Sequence, residues 1–102
     1  MAYPIANMYG NVPVLVTATA TGAVSGTTTH YLDVCLGRPV VEELQDIAQF
    51  FGIKSILSAT AGKLRYSVKL KDGRNSADLN NGMTFSQQGI QKGSPLVLAD
   101  GP

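Results

Sequence analysis

A chain of 102 residues, 44% hydrophobic and only 15% charged, has the size and apolar content of one domain with a single core. Eight Lys and Arg against seven Asp and Glu leave a formal charge of +1, so no global field draws it to nucleic acid, membrane or an acidic partner. The single cysteine, Cys35, excludes an internal disulfide, a cysteine-based zinc site and a self-contained iron–sulfur centre, each of which needs more than one thiolate.

Residues 1–12 carry no charge and no period, and Pro4 and Gly10 interrupt them. They read as an arm whose apolar Tyr3, Ile5, Met8 and Tyr9 suit docking on the domain or on a second copy. The start Met1-Ala2-Tyr3-Pro4 lacks a cationic leader and no apolar run reaches membrane-spanning length, so the expectation is a cytoplasmic protein with no membrane contact. Val14 to Ala20 is β-branched and alternating, as a strand with one face on a core would be. The loop Thr21 to Thr29 contains Gly22 and Gly26, and leads to a second strand, His30 to Leu36. There Leu32, Val34 and Leu36 share the inner face, while Tyr31, Asp33 and Cys35 point outward.

Gly37-Arg38-Pro39 stops the sheet, and Pro39 suits a helix entry because its missing N–H has no partner there. From Val40 to Phe51, the residues Val41, Leu44, Ile47, Ala48 and Phe51 recur at helical spacing, and Gly52 ends the helix. Glu42, Glu43, Asp46 and Gln49 form the opposite, solvated face. After a connection of small residues, Ile53 to Gly62, the run Leu64 to Lys71 alternates strictly. It predicts a strand with Leu64, Tyr66, Val68 and Leu70 inward and Arg65, Ser67, Lys69 and Lys71 outward. Asp72-Gly73 has the composition of a tight hairpin turn, and Arg74 to Leu79 returns as a short polar edge. One helical turn, Thr84 to Gln88, ends at Gly89, and the continuously apolar Pro95 to Ala99 predicts a central strand buried on both faces.

Two strands, a helix, two further strands, a helical turn and an apolar last strand place one long helix across one face of a mixed sheet. This order, with the run Met83-Thr84-Phe85-Ser86-Gln87-Gln88-Gly89-Ile90 and the Gly93 turn before Pro95, resembles the ubiquitin-like β-grasp superfamily. The pattern is most similar to small bacterial ubiquitin-like accessory proteins, those of type VII secretion and the small subunits of multicomponent monooxygenases. The resemblance implies an α+β fold with a mixed four- to five-stranded sheet over residues 13–99, its last strand parallel to the first, and a short tail, 100–102. Conjugated and sulfur-carrier relatives are adenylated at a terminal Gly-Gly. Ala99-Asp100-Gly101-Pro102 departs from that pattern, so neither conjugation nor sulfur transfer is expected.

Catalytic chemistry has little to build on. His30 and Cys35 fall on opposite faces of one strand about 16 Å apart, too far for a nucleophile and its base. Neither Gly22 nor Gly26 is followed by the lysine and helix of a phosphate loop. The expectation is no enzyme, no cofactor and no metal. One asymmetry remains: Lys54, Lys63, Arg65, Lys69, Lys71 and Arg74 are set against Asp72 alone. Arg65, Ser67, Lys69, Lys71 and Arg74 are therefore the candidate partner-binding residues of an adaptor that meets a protein through the exposed sheet face. In ubiquitin-like folds this face is the usual docking surface. The alternative is an assembly component of a virion or secretion complex that docks through its N-terminal arm. A third reading is weak nucleic-acid binding by the basic strand, which lacks exposed aromatics for base stacking. The expected state is a monomer or small homo-oligomer, with the Thr21 to Thr29 loop as an additional contact.

Overall fold

The computed structural model describes residues 11–23 and 28–101. The apolar arm's Tyr3, Ile5, Met8 and Tyr9 lie outside the described residues, as do the middle residues of the Thr21 to Thr29 loop. In chain order the elements are β1 (Asn11–Ala18), β2 (Thr28–Cys35), α1 (Val40–Phe50), β3 (Leu57–Thr60), β4 (Lys63–Tyr66), β5 (Val68–Asp72), a 3-10 turn (Ser86–Gln88) and β6 (Pro95–Asp100). The main sheet has the order β2-β1-β6-β5. β6 runs parallel to β1, with Leu15 opposite Pro95 and Ala18 opposite Leu98, and antiparallel to β5. The last strand therefore occupies the middle of the sheet, as its apolar composition predicts.

Alternation selects the inner face. Val14, Val16 and Ala18 of β1, Leu96 and Leu98 of β6, and Val68 and Leu70 of β5 are buried beneath Val40, Leu44, Ile47 and Ala48 of α1. Phe51, Ile53, Ile56, Phe85 and Ile90 close the ends of this core. Each large apolar side chain so covered contributes about 1.5–3 kcal/mol relative to exposure. Pro39 precedes the helix without a side-chain cap. Two of the helix's unpaired amides are met from a distant loop instead: Val40 N–H donates to the Met83 carbonyl (2.9 Å) and Val41 N–H to that of Asn81 (3.1 Å). Gly52, at φ 89°, supplies the left-handed residue after the helix.

The structure corrects several expectations. The alternating run Leu64 to Lys71 is not one strand; it breaks at Ser67. Its first half, β4, pairs among the described residues with β3 alone, which lies inside the segment expected as a plain connection. Ala61 (φ 52°) and Gly62 (φ 77°) form the two-residue turn between them, a conformation that suits primed hairpins. Leu64 and Tyr66 are exposed rather than inward, because β5 spends its first ladder position, Val68, on Asp100 and the sheet provides no wall beyond it.

Cys35, expected outward, is buried where β2 turns into the helix. Glu43, expected in the solvated face, is buried as well: its Oε1 accepts the Cys35 N–H (2.8 Å) and its Oε2 accepts from Arg38 Nη1 (3.1 Å). The polar return Arg74 to Leu79 shrinks to a single bridge between Lys71 and Asp78. The expected helical turn, Thr84 to Gln88, is a shorter 3-10 turn ended by Gly89 at φ 81°. Pro95, Val97 and Ala99 are only half-buried, so β6 is not covered on both sides.

Candidate protein-binding site

Among the described residues no helix lies over the face of the main sheet opposite α1. Strand alternation and register bring Pro13, Leu15 and Thr17 of β1, Tyr31 of β2, Pro95, Val97 and Ala99 of β6, and Lys69 and Lys71 of β5 to this side. Leu15, Pro95, Val97 and Ala99 are half-buried and form an apolar stripe. Tyr31 flanks the stripe across β1 from β6 and is 66% exposed. The rim on the other side is cationic. Lys69 Nζ donates to Asp78 Oδ2 (3.2 Å) and Lys71 Nζ lies 4.0 Å from Asp78 Oδ1, so one carboxylate, itself more than half exposed, steadies both ammonium groups. Thr17 and Thr29 share a hydroxyl hydrogen bond of 2.9 Å across β1 and β2.

Of the residues singled out in the sequence, only Lys69 and Lys71 stand together on this face. Arg65 lies on β4, outside the main sheet, where its cross-strand partner is Ser58; the expected neighbourhood of Arg65 with Lys69 fails because of the break at Ser67. Ser67 is itself structural. Its N–H donates to the Ile56 carbonyl (2.7 Å), its hydroxyl to that of Ser55 (3.2 Å), and its carbonyl accepts the Gly101 N–H (2.8 Å).

Arg74 is turned back on Asp72: Nη2 donates to Oδ2 (2.7 Å) and Nε to Oδ1 (3.0 Å), while the Arg74 backbone N–H also reaches Oδ1 (2.9 Å). The guanidinium hydrogen bond holds the buried Asp72 carboxyl below the ordinary carboxylate range, against the opposing effect of burial. The cations thus fall into separate groups, and the continuous basic strand on which a nucleic-acid reading rests is divided.

The apolar stripe was missed in the sequence. Its signal was present in two uninterrupted apolar runs, Val12 to Val16 and Pro95 to Ala99, which supply apolar side chains to both faces of their strands when one helix can cover only one. Among the described residues no group of three or more His, Cys, Asp or Glu converges as a metal-binding set. No described helix is long and apolar enough to cross a membrane.

Neither a protein-family model nor a curated protein sequence matches the chain. Solved structures do. The fold is similar to a chain of the toluene 4-monooxygenase HD complex with the inhibitor 4-bromobenzoate, at TM-score 0.64 and 10% identity over 90% of this chain and 100% of that one. It is similar to the ubiquitin of Caldiarchaeum subterraneum, at TM-score 0.61 and 15% identity over 91% of this chain and 96% of that one. It also matches protomer 1 of the ESX-3 core complex, at TM-score 0.65 and 18% identity; there 91% of this chain covers 19% of the other. What chains this divergent share is the backbone architecture: the described residues form a ubiquitin-like β-grasp domain, a mixed four-stranded sheet gripping one helix.

Proposed function

We propose that this domain is a non-catalytic adaptor that docks a protein partner on the outer face of its sheet. Leu15, Pro95, Val97 and Ala99 form the floor of the docking face, Tyr31 is the aromatic anchor on one rim, and Lys69 and Lys71 form the charged rim opposite. The observation that carries this reading is the apolar stripe left half-buried on the side of the sheet away from α1, rimmed by polar groups among the described residues. An exposed tyrosine beside apolar area is the composition of an interface anchor, and rim lysines set orientation and encounter rate more than affinity. Ser67 and Arg74 hold the rim in shape through Ser55 and Asp72. Two of the similar folds are chains described as parts of complexes, which supports an accessory role. The proposal places the domain in the cytoplasm, where a thiol such as that of Cys35 stays reduced.

A photo-crosslinking amino acid at Tyr31, compared with one at Gln49 on the exposed side of α1, tests the assignment in the cells that make the protein. The expected result is a discrete crosslinked product from position 31 that disappears with Val97→Asp and weakens with Lys69→Glu/Lys71→Glu. Equal products from both positions, or a product indifferent to Val97→Asp, would overturn it.

A further inference from the structure

The hairpin formed by β3 and β4 stands apart from the main sheet. Leu57 opposite Tyr66 and Ala59 opposite Leu64 place four apolar side chains on one of its faces. Leu57 is 47%, Leu64 71% and Tyr66 38% exposed. Lys63 and Arg65 alternate onto the other face. A two-stranded hairpin is marginal on its own, and this one is held at its base by the buried Ile56 and by the hydrogen bonds of Ser67. Charge is unbalanced here. The sequence contains no Asp or Glu between Asp46 and Asp72, and among the described residues Lys54, Lys63 and Arg65 enter no ion pair.

We propose that the edge of β4 left unpaired among the described residues, from Lys63 to Arg65 and short of the Tyr66 carbonyl that Gly101 abuts, receives an extended acidic–apolar segment of a protein partner as an added strand. Backbone amides and carbonyls along a strand edge bind a further strand without regard to sequence, and alternate side chains supply the selection. A segment alternating carboxylates with apolar residues sets its apolar side chains beside Leu64 and Tyr66 and its carboxylates beside Lys63 and Arg65. A second copy of this chain is a poorer occupant, because pairing β4 with β4 brings like cations together. An anionic lipid surface is poorer too, since one flat surface cannot meet apolar and basic side chains that point in opposite directions. This site is distinct from the outer face proposed above and does not rest on it.

The test is an amide-resolved NMR titration of the full chain with two synthetic octapeptides, one alternating Glu with Val and one alternating Lys with Val. The expected result is that the Glu peptide shifts amides of residues 57–66 and the Lys peptide binds far more weakly. Lys63→Glu/Arg65→Glu lowers affinity for the Glu peptide about tenfold and reverses the preference. Both side chains are exposed, so an unchanged spectrum outside the hairpin certifies the fold of that variant. Equal response to both peptides, or no response at residues 57–66, refutes the proposal. Shifts confined to Lys69, Lys71 and Val97 also refute it while favouring the outer face. Self-association abolished by Lys63→Glu/Arg65→Glu, or binding to phosphatidylserine vesicles abolished by Leu64→Asp, would assign the hairpin to another occupant and overturn it.

Discussion

Replacing Glu43 by alanine tests whether the junction between β2 and α1 is held by a buried carboxylate. In the wild type the Cys35 N–H, inside a residue only 2% exposed, donates to Glu43 Oε1 at 2.8 Å. Removing that acceptor takes away the carboxylate oxygen to which this buried amide donates, at a cost of about 1–3 kcal/mol. The ion pair with Arg38 adds less, about 0.5–1 kcal/mol, because the Arg38 side chain is 42% exposed and solvent screens the pair. Glu43→Ala is therefore expected to lose about 1.5–4 kcal/mol, and Glu43→Gln, which retains an acceptor oxygen, about 1 kcal/mol. For a chain of this length each kcal/mol lowers Tm by about 4–8 °C. Urea titrations followed by circular dichroism, with wild type, Glu43→Ala, Glu43→Gln and Arg38→Ala side by side, measure the differences. A loss below about 0.5 kcal/mol for alanine, or equal losses for alanine and glutamine, would refute the reasoning, since neither outcome is compatible with an acceptor that satisfies the Cys35 amide.

Two other perturbations follow from the structure. Arg74 lowers the native pKa of Asp72 from an unfolded value near 3.8, so the pair's contribution is present above that value and is lost as pH falls through the native one. The urea midpoints of wild type and Arg74→Gln are expected to differ most near neutral pH and to converge below about pH 4; a pH-independent gap would contradict this. A Cβ on Gly73 would lie 2.9 Å from the Pro95 carbonyl oxygen, a contact against backbone that no rotamer relieves. Gly73→Ala is expected to destabilise by about 1–3 kcal/mol in the same urea assay, and an unchanged midpoint would show that the β5 to β6 approach is looser than described.

Most of the architecture is legible in the residue pattern because burial has one answer there. Leu44, Ile47 and Ala48 recur at the helical period, and Pro95 to Ala99 has no polar residue to spend on an edge, so the helix and the central strand follow from spacing. Leu64, Tyr66, Val68 and Leu70 share one parity on both sides of Ser67. Alternation alone therefore cannot reveal that the sheet stops covering this run partway along. That single ambiguity moved Arg65 from the outer face of the main sheet to the hairpin. Glu43 failed for a different reason: its burial answers the needs of the Cys35 amide and the Arg38 guanidinium, partners that become neighbours only when α1 folds over the end of β2. Arg74 likewise reads as a surface cation until the turn after β5 folds its side chain back on Asp72.

The central place of β6 bears on how the protein is made. Val16 meets Leu96 in the ladder, so β1 gains its second neighbour only after about eighty further residues have been synthesised. Contacts this remote in sequence slow folding and leave an apolar nascent surface, the inner sides of Val14, Val16 and Val34, open to trapping in the meantime. On the ribosome the sheet can close around its middle strand only once Pro95–Asp100 has cleared the exit tunnel.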